Sequence, residues 1–272
     1  MGLFSIVSKA AAVTGAGGGI GRSLCLSLAR EGAASILALD INLDGVYETA
    51  HLIQQKYPMC SVSALRCDAA DRSSLSASLL SPSRPPVDLF CSNAGVAIGG
   101  DCSSSDADWS LSWNLHVMQL KWGTELLLPS MRERKTGAFL VTSSAAGLLQ
   151  QPGSAPYSAT KHAAVGLAEW LTMTYGDWLN VTCLCPQGVD TQMIKTIMDQ
   201  TENPALKVAA ADGVMSPDDV ADEALESLKA GQFLCMPGGE RSAKKHVERK
   251  AADRERWIAA MRKLDAAFRK QK

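Results

Sequence analysis

Tyr157 and Lys161 are the pair from which chemistry can start. They stand four residues apart in Tyr157-Ser158-Ala159-Thr160-Lys161, a spacing that puts a phenol and an ammonium on one face of a helix. A phenol of pKa ~10 is a poor base at neutral pH, but a neighbouring cation favours the phenolate. Lowering the pKa by ~3 units corresponds to about 4 kcal/mol. Such a phenol can take a proton from an alcohol or return one to a ketone. Taken alone, Tyr-x-x-x-Lys is common on exposed helices and identifies nothing. Ser144, 13 residues before Tyr157, ends the apolar run Phe139-Leu140-Val141-Thr142 and adds a hydroxyl to the pair; Ser143 beside it is the competitor.

A second constellation is glycine-rich. Val13-Thr14-Gly15-Ala16-Gly17-Gly18-Gly19-Ile20-Gly21 follows an apolar run and opens a helical pattern. Glycine there lets the backbone turn tightly and approach a pyrophosphate, whose charge faces the helix N-terminus. The strict Gly-x-Gly-x-x-Gly spacing fails, because its last position falls on Ile20. Asp40 ends the next apolar run. A carboxylate ~20 residues beyond such a loop can accept hydrogen bonds from ribose hydroxyls and repel the extra phosphate of NADP. No Lys or Arg at 16–19 or 41–43 offsets it, so NAD is the expected cofactor. The alternative for Asp40 is a strand-end residue capping the next turn.

These residues need elements to hold them. Short apolar runs at Ala10–Thr14, Ser35–Asp40, Ser61–Arg66, Val87–Ser92, Ala138–Thr142, Val181–Cys185 and Phe233–Met236 predict about seven strands. Helical patterns at Ile20–Glu31, Leu43–Lys56, Asp106–Met131 and Tyr157–Leu179 alternate with them. This alternation specifies an α/β fold: a doubly wound parallel sheet with helices on both faces, its strands apolar throughout because both sides are buried. Three prolines in Ser81–Pro86 mark an exposed turn. Ser216-Pro217-Asp218-Asp219 reads as a capped helix start.

Thr14-Gly15-x-x-x-Gly19-Ile20-Gly21, followed in order by Ser144, Tyr157 and Lys161, resembles the short-chain dehydrogenase/reductase family over roughly residues 7–236. The resemblance implies a Rossmann fold, a nicotinamide cofactor, and hydride transfer between NAD(H) and a secondary alcohol or ketone. It implies Tyr157 as the acid/base, Ser144 on the reacting oxygen and Lys161 on the ribose. Gly15, Gly19, Ile20 and Gly21 would hold the pyrophosphate. Asp68 and Ala69, in Cys67-Asp68-Ala69, stand where the family's Asp meets the adenine. Asn93, Ala94 and Gly95 match its Asn-Asn-Ala-Gly motif, with Ser92 replacing the first Asn. Pro186, Val189 and Thr191 match the segment flanking the nicotinamide, with Gln187 where glycine is usual. The family's relay Asn falls, by register from Leu128-Pro129, on His116; Asn114 lies two residues earlier, on nearly the opposite helix side. A relay role for His116 stands against that of a buried helix residue. In the relay role, the imidazole would titrate near pH ~6.5.

Met193, Ile194, Ile197 and Met198, in a substrate lid at about 191–216, suggest with Leu148 and Leu149 an apolar pocket. The alternative function is a dinucleotide-binding sensor or scaffold with little turnover. A homodimer or homotetramer is expected from the resemblance, with a small alcohol or ketone as the other partner.

Composition sets the outer limits. The 272 residues, 46% hydrophobic and 20% charged, fit one large domain over 1–239. A formal charge of −1 argues against a dedicated nucleic-acid binder. No apolar run approaches the ~18 residues of a membrane span, and the start lacks a secretory layout. Eight cysteines without Cys-x-x-Cys, most in apolar runs, predict no metal site and a reducing, cytoplasmic location. Residues 240–272 differ: 12 Lys and Arg face 5 acids, and Trp257, Met261, Leu264 and Phe268 form an apolar stripe. A basic amphipathic helix packed on its own domain or a neighbouring subunit is expected.

Overall fold

The computed structural model describes residues 3–195, 213–239 and 243–269. Seven parallel strands form one sheet: β1 (Ala10–Thr14), β2 (Ser35–Asp40), β3 (Ser61–Arg66), β4 (Leu89–Ser92), β5 (Gly137–Thr142), β6 (Leu179–Leu184) and β7 (Leu234–Cys235). Their order is β3-β2-β1-β4-β5-β6-β7. Every residue of β1, β4 and β6 is buried, which is why these strands read as unbroken apolar runs. The chain reverses direction of winding between β1 and β4. A crevice opens there at the carboxyl ends of the strands, the place where doubly wound sheets bind ligands.

The helices are α1 (Gly19–Arg30), α2 (Leu43–Lys56), α3 (Arg72–Leu79), α4 (Asp106–Trp113), α5 (Gln119–Arg134), α6 (Ala146–Leu149), α7 (Ala155–Tyr175), α8 (Pro217–Lys229), α9 (Lys244–Ala252) and α10 (Arg254–Arg269). Leu24 and Leu28 of α1, Val46 and Ile53 of α2, and Val220, Leu225 and Leu228 of α8 fill one face of the sheet. Leu75 and Leu79 of α3, Leu120, Leu127 and Met131 of α5, and Ala168 and Leu171 of α7 fill the other. Ser216 caps α8 by accepting from the Asp219 N–H at 3.1 Å, with Pro217 at the first turn. Ser23 and Ser27 of α1 then donate to Asp218 and Asp222 of α8, each at 2.6 Å.

Two helices depart from the sequence pattern. The long helix expected over Asp106–Met131 is interrupted by a π-turn at Asn114–Met118, and Gln119 N–H reaches back five residues to the Asn114 carbonyl. The wider turn buries three consecutive residues, Leu115, His116 and Val117, which a regular helix cannot place on one side. The basic tail is two helices rather than one. Asp253 takes an extended conformation and its carboxylate accepts from the Arg256 N–H at 2.9 Å, so it ends α9 and caps α10. Val247 and Trp257 pack with Ala145, Leu148, Leu149 and Met236, and the Lys250 ammonium donates to the Leu148 carbonyl. Ile197 and Met198 lie outside the described residues, as do the side chains of Leu264 and Phe268.

One buried ionic knot ties the sheet to α5. Asp88 accepts from the Ala10 N–H at 3.0 Å and from the Arg134 guanidinium, which also donates to the Val87 carbonyl. Removing the carboxylate leaves the buried Ala10 N–H without its acceptor and the Arg134 guanidinium without its counter-charge. Asp88→Ala should therefore lower the unfolding free energy by about 2–4 kcal/mol in urea titration. A loss below about 0.5 kcal/mol, the scale of an ordinary surface change, would contradict this.

Candidate active site

A cleft of about 300 Å³ opens at the carboxyl ends of β1, β4, β5 and β6. It brings together the glycine loop (Gly15, Gly18, Gly19, Ile20, Gly21), Asp40, Asn93, Ala94 and Gly95, then Ser144, Tyr157 and Lys161, then Pro186, Val189 and Thr191. Segments up to 176 residues apart in the sequence thus meet in one place.

The glycine loop owes its shape to two positions. Gly15 has φ 68°, a left-handed backbone that other residues avoid. At Gly21 a β-carbon would lie 1.9 Å from the Gly15 carbonyl oxygen, so the first turn of α1 rests directly on the loop. No side chain caps α1 and its first turn holds no acid, which leaves backbone N–H groups to meet an anion. Open space surrounds Gly18 on the β-carbon side. At the rim, the Asp40 carboxylate accepts from the Gly17 and Asn42 N–H groups, each at 2.9 Å. The arrangement fits a dinucleotide: donors for the phosphates and a carboxylate for the ribose.

Thr14 locks this loop to its neighbour. Its hydroxyl accepts from the Asn93 and Ala94 N–H groups at 2.9 and 3.1 Å and donates to the Cys91 carbonyl at 3.2 Å. The Asn93 amide donates to the Thr14 carbonyl at 2.9 Å and accepts from the Thr142 hydroxyl at 3.0 Å. Gln119 donates to the Ala94 carbonyl at 3.1 Å. Sequence reasoning gave Thr14, Thr142 and Gln119 no role. The signal for Thr14 was a polar residue ending an apolar strand directly before the loop.

Ser144, Tyr157 and Lys161 converge as the spacing predicts. Tyr157 and Lys161 lie on the first turns of α7, with the ammonium 5.7 Å from the phenol ring centroid. The Lys161 ammonium donates to the Thr142 carbonyl at 2.8 Å. Ser143 is not available: its buried hydroxyl donates to the Lys161 carbonyl at 2.9 Å. Ser144 is half-buried, faces the cleft and accepts from the Ala146 N–H at 3.1 Å. Burial pulls Lys161 down to about 8, against the thiols of Cys183 and Cys185, which pull it up. Burial also pushes the Tyr157 phenol above its usual value, and a hydrogen bond with Ser144 opposes this in part. Desolvation of Tyr157 thus outweighs that hydrogen bond in this structure; the lowering expected of the phenol belongs to the site with a positive nicotinamide ring beside Lys161.

The reading of His116 is corrected. The ring is buried and both nitrogens are engaged, Nε2 with the Val96 N–H at 3.2 Å and Nδ1 with the Thr160 hydroxyl at 2.8 Å. Burial first, and then the Lys161 charge, hold its pKa well below 6.5. Asn114 opens the π-turn two residues away, and it is His116 whose ring stands edge-on to Tyr157, with centroids 5.5 Å apart.

Two further expectations shift. Asp68 and Ala69 follow β3 but do not line the cleft; the Asp68 carboxylate accepts from the Ala70 N–H at 2.9 Å and shapes its own turn. Leu148 and Leu149 turn toward the tail rather than the cleft. Gln187 replaces the family's glycine without strain, since among the described residues the non-glycine positions with positive φ are Ser8, Lys135 and Gln150.

The chain belongs to the short-chain dehydrogenase/reductase family of oxidoreductases: residues 9–202 match the short chain dehydrogenase family. Oxidoreductase UcpA of Salmonella typhimurium is 32% identical over 204 residues, which cover 72% of this chain and 75% of that protein. The crystal structure of a short-chain dehydrogenase/reductase from Burkholderia phymatum in complex with NAD superposes with a TM-score of 0.82 at 24% identity, over 93% of this chain and 96% of the other. A short-chain dehydrogenase from Sphingobium yanoikuyae in complex with NADPH gives 0.73 at 21% identity, over 84% and 87%. The two structures share the fold of this chain.

Proposed function

We propose that this protein interconverts a secondary alcohol and its ketone, using NAD(H), through Ser144, Tyr157 and Lys161. The observation that carries this reading is their convergence with the glycine loop in one cleft. When bound, the dinucleotide supplies the hydride acceptor or donor. Gly15, Gly19, Ile20 and Gly21 would hold its phosphates, and Lys161 a ribose hydroxyl. Tyr157 takes the alcohol proton or returns it to the ketone oxygen. Ser144 donates to that same oxygen and fixes its distance from the phenol. Lys161, facing the phenol ring, stabilises the phenolate as its proton leaves.

The side chains at the open end favour an apolar substrate. Val189, Met193 and Ile194 line the cleft, and Met193 is exposed to whatever enters. The test is turnover: NAD reduction or NADH oxidation with a panel of apolar secondary alcohols and ketones. Activity on at least part of the panel is expected. No turnover across it, with NADH still bound, would favour the sensor or scaffold.

Asp40 supports NAD over NADP. Arg22, beside the loop, does not line the cleft: its guanidinium donates to the Gly17 carbonyl at 2.7 Å and pairs with Glu48 at 2.6 Å. Among the described residues that line the cleft, the cation is Lys161, at the catalytic end. Asp40→Ala should narrow the preference for NAD about tenfold, the scale of one removed charge repulsion. A wild type that prefers NADP would overturn the ribose-contact reading.

A further inference from the structure

His116 sits where the π-turn, the loop Asn93–Val96 and α7 meet. It projects from the π-turn between α4 and α5, a place where one extra residue re-aims a side chain. The Val96 N–H can only donate, so the Nε2 that meets it at 3.2 Å must carry the lone pair. The ring proton is then on Nδ1 and is donated to the Thr160 hydroxyl at 2.8 Å. Thr160 in turn donates to the Pro156 carbonyl at 2.7 Å, with the Tyr157 carbonyl also in reach at 3.1 Å. The direction of every bond in this buried chain follows from its first donor: Val96, His116, Thr160, Pro156.

The chain begins at the cleft and ends on the helix that carries Tyr157 and Lys161. Val96 closes the stretch Asn93–Val96 that lines it, and Thr160 lies between Tyr157 and Lys161 on α7. A β-carbon on Gly95 would come within 3.1 Å of Nε2 and 3.6 Å of the Lys161 ammonium, so the loop passes closely against both. The imidazole also stands edge-on to the Tyr157 ring at 89°.

We propose that His116 is a positioning residue, a neutral Nδ1–H imidazole that fixes the distance between the loop Asn93–Val96 and the turn of α7 carrying Tyr157 and Lys161. This deepens the reading of Tyr157 and Lys161 given above and rests on it. An imidazolium would set an N–H against the Val96 N–H and place a cation beside Lys161, and either change breaks the link. Among the described residues, the titratable groups facing the ring are Lys161 and Tyr157 on α7; its own turn and the loop contribute none. Because burial and Lys161 hold the ring's pKa well below 6.5, its link persists from pH 8 down through neutrality.

The two arms of the ring can be separated by substitution. The amide of Asn ends near the place of Nδ1, and that of Gln near Nε2. In His116→Asn the bond to Thr160 survives and Val96 is released. NADH affinity, read by fluorescence titration, should weaken about tenfold, with kcat at saturating cofactor nearly unchanged. In His116→Gln the Val96 bond survives and Thr160 is released. There kcat should fall about tenfold while NADH affinity is kept. Equal losses of affinity and kcat in both variants, accompanied by equal drops in melting temperature, would reduce His116 to packing and overturn the proposal. An activity-free measurement stands beside this. Nitrogen-15 spectra of the full chain, with His116 assigned by its absence in the Gln variant, should show an Nδ1–H tautomer unchanged from pH 8 to 6. An Nε2–H tautomer, or titration near 6.5, would overturn it. If the wild type turns over no alcohol or ketone, the catalytic reading fails, and the tautomer still decides the proposal.

Discussion

Tyr157→Phe should abolish turnover while leaving the protein folded and able to bind NADH. The substitution removes one oxygen. The ring keeps its edge-on packing against His116, and the Lys161 ammonium keeps its bond to the Thr142 carbonyl. What disappears is the group that exchanges a proton with substrate, together with its hydrogen bond to Ser144. General acid–base catalysis of this kind is worth about a hundredfold to ten-thousandfold, so a fall in kcat of about a thousandfold is expected. NADH titration and melting curves of the two proteins should nearly coincide. Residual activity above about a tenth of wild type, well outside that range, would move the acid/base role to another group. A companion loss of stability would instead show that the phenol oxygen holds the fold.

Much of this arrangement was legible in the sequence, for reasons that differ by element. β1 and β2 stand where their apolar runs stand because the sheet is covered on both faces there, while β3, at the sheet edge, is only partly buried. Ser144, Tyr157 and Lys161 were legible because the end of a strand and one helix face set their positions locally. The π-turn was not. One extra residue in a turn leaves the helical period readable on either side, and what marks it is three consecutive buried residues. The direction of Leu148 and Leu149 was hidden for another reason. Their partners Val247 and Trp257 lie about 100 residues on, and no local pattern says which of two apolar surfaces will take them. Charge behaved similarly. The sequence shows a lysine near a tyrosine, but burial around both sets the direction of each shift.

The glycine loop offers the other large effect, because two neighbouring glycines answer to different constraints. At Gly21 an added β-carbon would meet backbone: 1.9 Å from the Gly15 oxygen and 2.6 Å from its carbon. No side chain can swing aside to relieve that contact, so the first turn of α1 must lift off the loop. Gly21→Ala should cost about 1–3 kcal/mol of stability, as overpacking does. It should also weaken NADH binding by about a hundredfold, two factors of ten at 1.4 kcal/mol each, since the N–H groups of the turn move with the loop. Gly18 is the control. Its backbone is extended, with φ −176°, and nothing lies within 4 Å of where a β-carbon would go. Gly18→Ala should leave the melting temperature unchanged, yet its methyl group would project into the space where the phosphates are expected, so NADH affinity should fall. Gly21→Ala binding NADH as tightly as wild type would show that the loop tolerates the lifted helix. Full NADH affinity in Gly18→Ala would place the phosphates elsewhere in the cleft.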